Sequence, residues 1–125
     1  MSKLKMTKRA KVEAAVDNWW LINGVERNQE HPETVPIPAE SKRLSLKPGD
    51  LVKLGFECDP KKFVCAGERM WIEVKKVTER GYIGSLASNP VVLSELLQFG
   101  QEIAFLPEHV IDIDPKVTAA EVSLH

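Results

Sequence analysis

The segment Gly67-Glu68-Arg69-Met70-Trp71-Ile72-Glu73-Val74 leaves this chain few conformational choices. Met70, Ile72 and Val74 alternate with Trp71, Glu73 and Lys75, the period of two that puts one face of a strand in a core and the other toward solvent. Val52, Leu54 and Phe56 alternate in the same way with Lys53, Gly55 and Glu57. Lys47-Pro48-Gly49-Asp50 is a turn signal ahead of that earlier strand. Thr78-Glu79-Arg80-Gly81 turns the chain after the later one, Tyr82 to Leu86 runs back, and Asn89-Pro90 ends the run. Val77 breaks the period, which predicts a bulge near Lys75-Lys76.

The remaining segments fit around this hairpin. Val12, Ala15, Val16, Trp19 and Trp20 recur at helical spacing and predict an amphipathic helix from Thr7, with Thr7 as N-cap and Asn23-Gly24 as its stop. Residues 25–38 are polar and proline-rich and read as an ordered loop held by Val35 and Ile37, followed by a short helical turn near Glu40. Leu46-Lys47-Pro48-Gly49-Asp50-Leu51-Val52-Lys53-Leu54 is echoed by Leu97-Gln98-Phe99-Gly100-Gln101-Glu102-Ile103-Ala104-Phe105. Both place a glycine before a strand, as expected where the entering turn needs positive φ. Short strands are expected over 103–105 and 110–113.

With 125 residues, the expected organisation is one globular domain over 7–115, with loose tails at 1–6 and 116–125. The fold class is α+β and β-dominated: an antiparallel sheet of four or five strands curled into a small, partly open barrel, with the N-terminal helix against one side. The expected core is Val52, Leu54, Phe56, Met70, Ile72, Val74, Ile83, Leu86, Ile103, Phe105 and Ile111.

A net charge of −1 argues against a general nucleic-acid binder, which carries a basic surplus. No apolar run approaches the ~18 residues of a membrane span, and the basic start has no apolar stretch behind it, so a cytoplasmic location is expected. Cys58 and Cys65 stand too far apart for a zinc knuckle and lack a second pair. Without a secretion signal they are expected to be free thiols. No phosphate-binding glycine loop, His-Glu-x-x-His or nucleophile elbow occurs, so no catalytic residue, metal or cofactor is assigned.

The segment from about Trp19 to Asp114 resembles the DUF2314 family, bacterial domains of unknown function. The pieces that carry the resemblance are Trp20-Leu21-Ile22-Asn23-Gly24, Pro36-Ile37-Pro38, Leu46 to Leu54, Gly67 to Val74, Gly84-Ser85-Leu86, Asn89-Pro90 and Phe99-Gly100, in family order. The loop from Cys58 to Cys65 departs from the pattern. The resemblance implies a compact β-rich bacterial domain and supplies no activity or catalytic residues.

Three tryptophans among eight aromatics draw attention to surfaces that bind other proteins. Trp71 falls on the face opposite Met70, Ile72 and Val74, beside Glu73. It is expected either to bind a peptide or to form a second small core under the N-terminal helix. Trp19 and Trp20 cannot both occupy the centre of one helix face, so one is expected on the sheet and the other at its rim. Glu68 and Arg69 stand at the hairpin entrance, as a polar contact point or as a surface ion pair. With Asn89 these form the candidate binding set. The expected function is a non-enzymatic protein- or peptide-interaction module. The alternatives are a small-ligand binder or enzyme with a cleft between helix and barrel, and a defence-type immunity or inhibitor protein.

Overall fold

The computed structural model describes residues 18–59, 61 and 67–115. Its elements in chain order are β1 (Trp19–Leu21), helix α1 (Gly24–Glu30), the single helical turn α2 (Glu40–Arg43), β2 (Leu51–Cys58), β3 (Glu68–Val77), β4 (Tyr82–Leu86), β5 (Glu102–Phe105), a 3-10 turn (Pro107–His109) and β6 (Val110–Ile113). All pairings are antiparallel, and β2 to β5 form a meander. The 3-10 corner then returns the chain to β2, where β6 pairs with its N-terminal half. β1 pairs with the C-terminal half of β2. The sheet is a curled half-barrel, and the architecture is α+β with strands dominant, as the alternation predicts.

Alternation dictates which side chains enter the barrel. Val52, Leu54, Phe56, Ile72 and Val74 have no exposed surface, and Met70 has 1%. Tyr82 and Leu86 come in from β4, Ile103 and Phe105 from β5, and Val110 from β6. The Tyr82 and Phe105 rings stack at 5.3 Å, and the Tyr82 hydroxyl donates to the Arg43 carbonyl at 2.7 Å. Between β4 and β5 the chain makes a series of turns that buries Leu93 and Leu97 across one mouth of the barrel. The ladder between β3 and β4 slips between Val74 and Lys76, the expected bulge. Gly49 (φ 97°) and Gly100 (φ 86°) both lie in the left-handed region just ahead of β2 and β5. The sequence echo is thus shared turn chemistry.

Four expectations are corrected. Trp19 and Trp20 belong to a strand, so that among the described residues the sheet has six strands; residues 7–17 of the predicted helix lie outside the described residues. Asn18, at φ 65°, interrupts any helix just before Trp19, and the open edge of β2 supplies ladder partners, continued by Ile22 N–H to Gly55 O at 2.8 Å. Asn23 opens a helix where it was expected to close one: its Oδ1 accepts from Glu26 N–H at 3.0 Å, the N-cap of α1. Ile83 and Ile111 are only half-buried. Period two from Tyr82 sends Ile83 outward, and Ile111 sits where the β2–β6 register shifts. Cys58 is disulfide-bonded, not free, and Cys65, the chain's other cysteine, lies outside the described residues. Antiparallel pairing of β2 with β3 folds the chain back after Cys58, the arrangement in which a short loop can be closed covalently.

Candidate functional site

The outer face of the sheet is built by the residues the core leaves over. Opposite Met70, Ile72 and Val74, β3 presents Arg69, Trp71 and Glu73. On β2, Lys53 stands directly across from Trp71, and on the other side it faces Asp112 of β6. A row therefore crosses three strands: Asp112, Lys53, Trp71. The Lys53 ammonium lies over the Trp71 indole, 4.7 Å from the ring centroid. A cation over a ring in a half-exposed position gains about 0.5–1 kcal/mol. Here it holds a long flexible side chain in one place.

Beside this row the surface sinks into a groove of about 570 Å³. One wall is the proline-rich loop, residues 35–39, and the other is β6 with Ile111, Ile113 and Pro115. The loop is tied down from behind. Asn28 Nδ2 donates to Val35 O at 2.9 Å, and Arg43 Nε donates to Pro38 O at 3.0 Å. Arg43 is itself buried and also reaches Pro107 O at 3.4 Å, so one guanidinium pins the loop to the 3-10 corner. Pro36 and Pro38 have fixed φ and no N–H. This wall is consequently stiff and offers mainly apolar surface.

The charged residues of the groove are Lys42, Lys53, Arg69 and Asp112. Among the described residues, none of the three cations is in an ion pair. The ion pairs nearby lie elsewhere, Glu73 to Lys75 at 3.2 Å and Arg27 to Glu57 at 3.4 Å. A second, smaller depression of about 220 Å³ flanks Trp71 and is lined by Leu51, Ala87 and Asp114.

The structure separates the candidate residues into groups. Trp71, Arg69 and Glu73 share the outer face of β3. Trp20 lies on the same face of the sheet, paired in register with Glu57, toward the other end. Trp19 points inward, 4% exposed, with its ring 5.6 Å from Phe56 and no hydrogen-bond partner for its buried Nε1. Glu68 serves the fold. Its two carboxylate oxygens accept from Val91 N–H at 2.9 Å and Leu93 N–H at 3.0 Å, holding the turns that close the barrel mouth. Asn89 is exposed on the β4–β5 connection.

Lys42, Lys53, Asp112 and the loop wall were not singled out from the sequence. Period two already puts Lys53 on the Trp71 side of its own strand. Its position across from Trp71, however, depends on the hairpin register, which sequence spacing alone leaves open.

Among the described residues no helix is long and apolar enough to cross a membrane, and no three His, Cys, Asp or Glu side chains could together hold a metal ion. No family model, curated protein or solved structure matches the chain.

Proposed function

We propose that this protein is a non-enzymatic interaction module that holds an extended segment of a partner protein against the outer face of β2, β3 and β6. The observation that carries this reading is the Lys53–Trp71 pair beside the groove. A flat aromatic surface, a cation held over it and a stiff apolar wall are the features with which small β domains grip extended peptides. Pinning of the loop by Asn28 and Arg43 supports it further, because a pre-formed wall spares the ordering cost of binding. The polar side chains of the groove are two lysines, an arginine and an aspartate, a set suited to recognition rather than to nucleophile and base chemistry.

The test is selection of displayed random peptides on the folded protein, followed by calorimetry of the enriched peptides. Trp71→Ala is expected to weaken them about tenfold or more, as for a central aromatic anchor. Failure to enrich any peptide, or equal binding to the variant, would remove the reading.

The groove volume also supports a second reading, a small-molecule site, since such pockets span about 300–1,000 Å³. Its open side favours the peptide. Membership of DUF2314 and a cytoplasmic location remain proposals that rest on the sequence alone. A family member with a different strand order would end the first, and detection of the protein outside the cytoplasm would end the second.

A further inference from the structure

We infer that the segment taken by this groove is acidic, with carboxylates at alternating positions and aliphatic residues beside them. The inference rests on the interaction reading above and names the chemistry of the partner. Three cations and one carboxylate line the groove, a local charge of +2 (3 − 1) on a chain whose net charge is −1. Among the described residues none of these cations is spent in an ion pair. Charge complementarity therefore points to an anionic occupant. The aliphatic and proline surface of the walls adds a requirement for apolar groups that free small anions do not meet.

The register fixes the spacing. Lys53 is directly across from Trp71, and Arg69 is across from Gly55, so Lys53 and Arg69 are diagonal neighbours on one face. Diagonal positions in an antiparallel pair lie roughly 7–8 Å apart. An extended peptide presents every second side chain on the same side, with a repeat of about 6.6–6.8 Å. Two carboxylates separated by one residue thus meet Arg69 and Lys53 together. Ile22 Cδ1 lies 2.7 Å from where a Cβ on Gly55 would stand, so the position directly across from Arg69 is covered by aliphatic surface, and Glu57, the next carboxylate on that face, is paired with Arg27 at 3.4 Å. Asp112, on the far side of Lys53, and Glu73, the other diagonal neighbour of Lys53 on β3, repel a further carboxylate and confine the acidic pair to the Lys53–Arg69 diagonal. Beyond the acidic pair, the groove lined by Ile111, Ile113 and Pro115 offers apolar surface to the aliphatic residues that follow.

Fluorescence anisotropy with labelled synthetic peptides tests this on the full-length protein. One peptide alternates glutamate with valine, a second has the same composition with its glutamates adjacent, and a third replaces glutamate by glutamine. The alternating peptide is expected to bind best, and the glutamine peptide about tenfold or more weaker, with the difference shrinking as salt is raised. Arg69→Glu, an exposed position, is expected to cost the alternating peptide about tenfold, and Lys42→Glu serves as an independent check. Asp112→Asn is expected to tighten binding about threefold. Equal binding of the glutamine peptide, or an unchanged affinity in both charge-reversal variants, overturns the inference. Displacement of the peptide by succinate at an affinity equal to the peptide's own would also overturn it, because the groove would then be a small-carboxylate pocket. Peptides of any charge that depend on Trp71 but not on Arg69 would sink the acidic chemistry and leave the interaction reading standing. Absence of binding by all three peptides and by any display-selected sequence would remove both.

Discussion

The two faces of the β2–β3 ribbon are made from the same two strands and answer to different demands. The inner face is uniformly apolar, and its six side chains, Val52, Leu54, Phe56, Met70, Ile72 and Val74, are sealed from water. The outer face mixes Leu51, Lys53, Glu57, Arg69, Trp71 and Glu73, all half-buried or exposed. Folding alone accounts for the inner set, because each buried aliphatic side chain contributes about 1.5–3 kcal/mol. It does not account for a cation held over an indole or for an apolar groove beside it. Function in a small barrel is therefore to be sought on the face whose composition the core does not need.

Substitutions at two adjacent residues of β3 test this contrast most strongly. Ile72→Ala is expected to lower the unfolding free energy by about 2–5 kcal/mol, since it opens a cavity in a sealed core. Trp71→Ala removes a larger side chain and is expected to cost less, about 1–2 kcal/mol, because water fills the space it leaves on the open face. Urea denaturation of both variants measures the two values. If the tryptophan variant loses as much as the isoleucine variant, the outer face is a second core and the contrast fails.

Arg43→Ala comes next, with an expected loss of about 2–3 kcal/mol from its charged hydrogen bonds to Pro38 O and Pro107 O. It should also loosen the groove wall. Backbone amide exchange in 35–39 is expected to quicken more than exchange in β3. Uniform acceleration would show that the loop is held by something other than this guanidinium. Gly84→Ala follows at about 1–3 kcal/mol, because a Cβ there would stand 2.5 Å from Ile72 Cγ2 and 2.6 Å from Glu73 O. Its effect belongs to the inner face, so peptide affinity measured on the folded fraction is expected to stay at the wild-type value.

What the sequence revealed follows the same division. The inner face was legible from Val52 to Phe56 and from Met70 to Val74, because burial on one side of a strand imposes a local period. Gly49 and the slip after Val74 were legible too, since turn chemistry and a broken period are also local. Trp19 was not. Val12, Ala15, Val16, Trp19 and Trp20 match helical spacing, and only the non-local edge of β2 makes Trp19–Leu21 a strand. Tyr82 was missed as a core residue although Leu86 shares its face by period two, because a buried hydroxyl needs a partner, and that partner, the Arg43 carbonyl, lies thirty-nine positions earlier. The candidate site was half legible. Alternation placed Trp71 and Arg69 outward, but the groove needs the loop at 35–39 brought against β6. Chain segments that far apart in sequence leave no periodic trace.

Lys53→Met is the finest cut between the two faces. The methionine keeps an unbranched stem along the indole and removes only the charge. Stability is expected to change by no more than about 0.5–1 kcal/mol, the worth of a cation over a half-exposed ring. Neutral peptides chosen for Trp71 should bind the variant as they bind the wild type. Acidic peptides should lose about threefold to tenfold, because one of the two carboxylate contacts is gone. Calorimetry and urea melts on the same preparation separate the outcomes. A large stability loss with no change in peptide affinity would make Lys53 a packing residue and return the outer face to the service of the fold. Unchanged stability with a selective loss for acidic peptides would tie this ammonium to the partner, as its place over Trp71 and across from Asp112 implies.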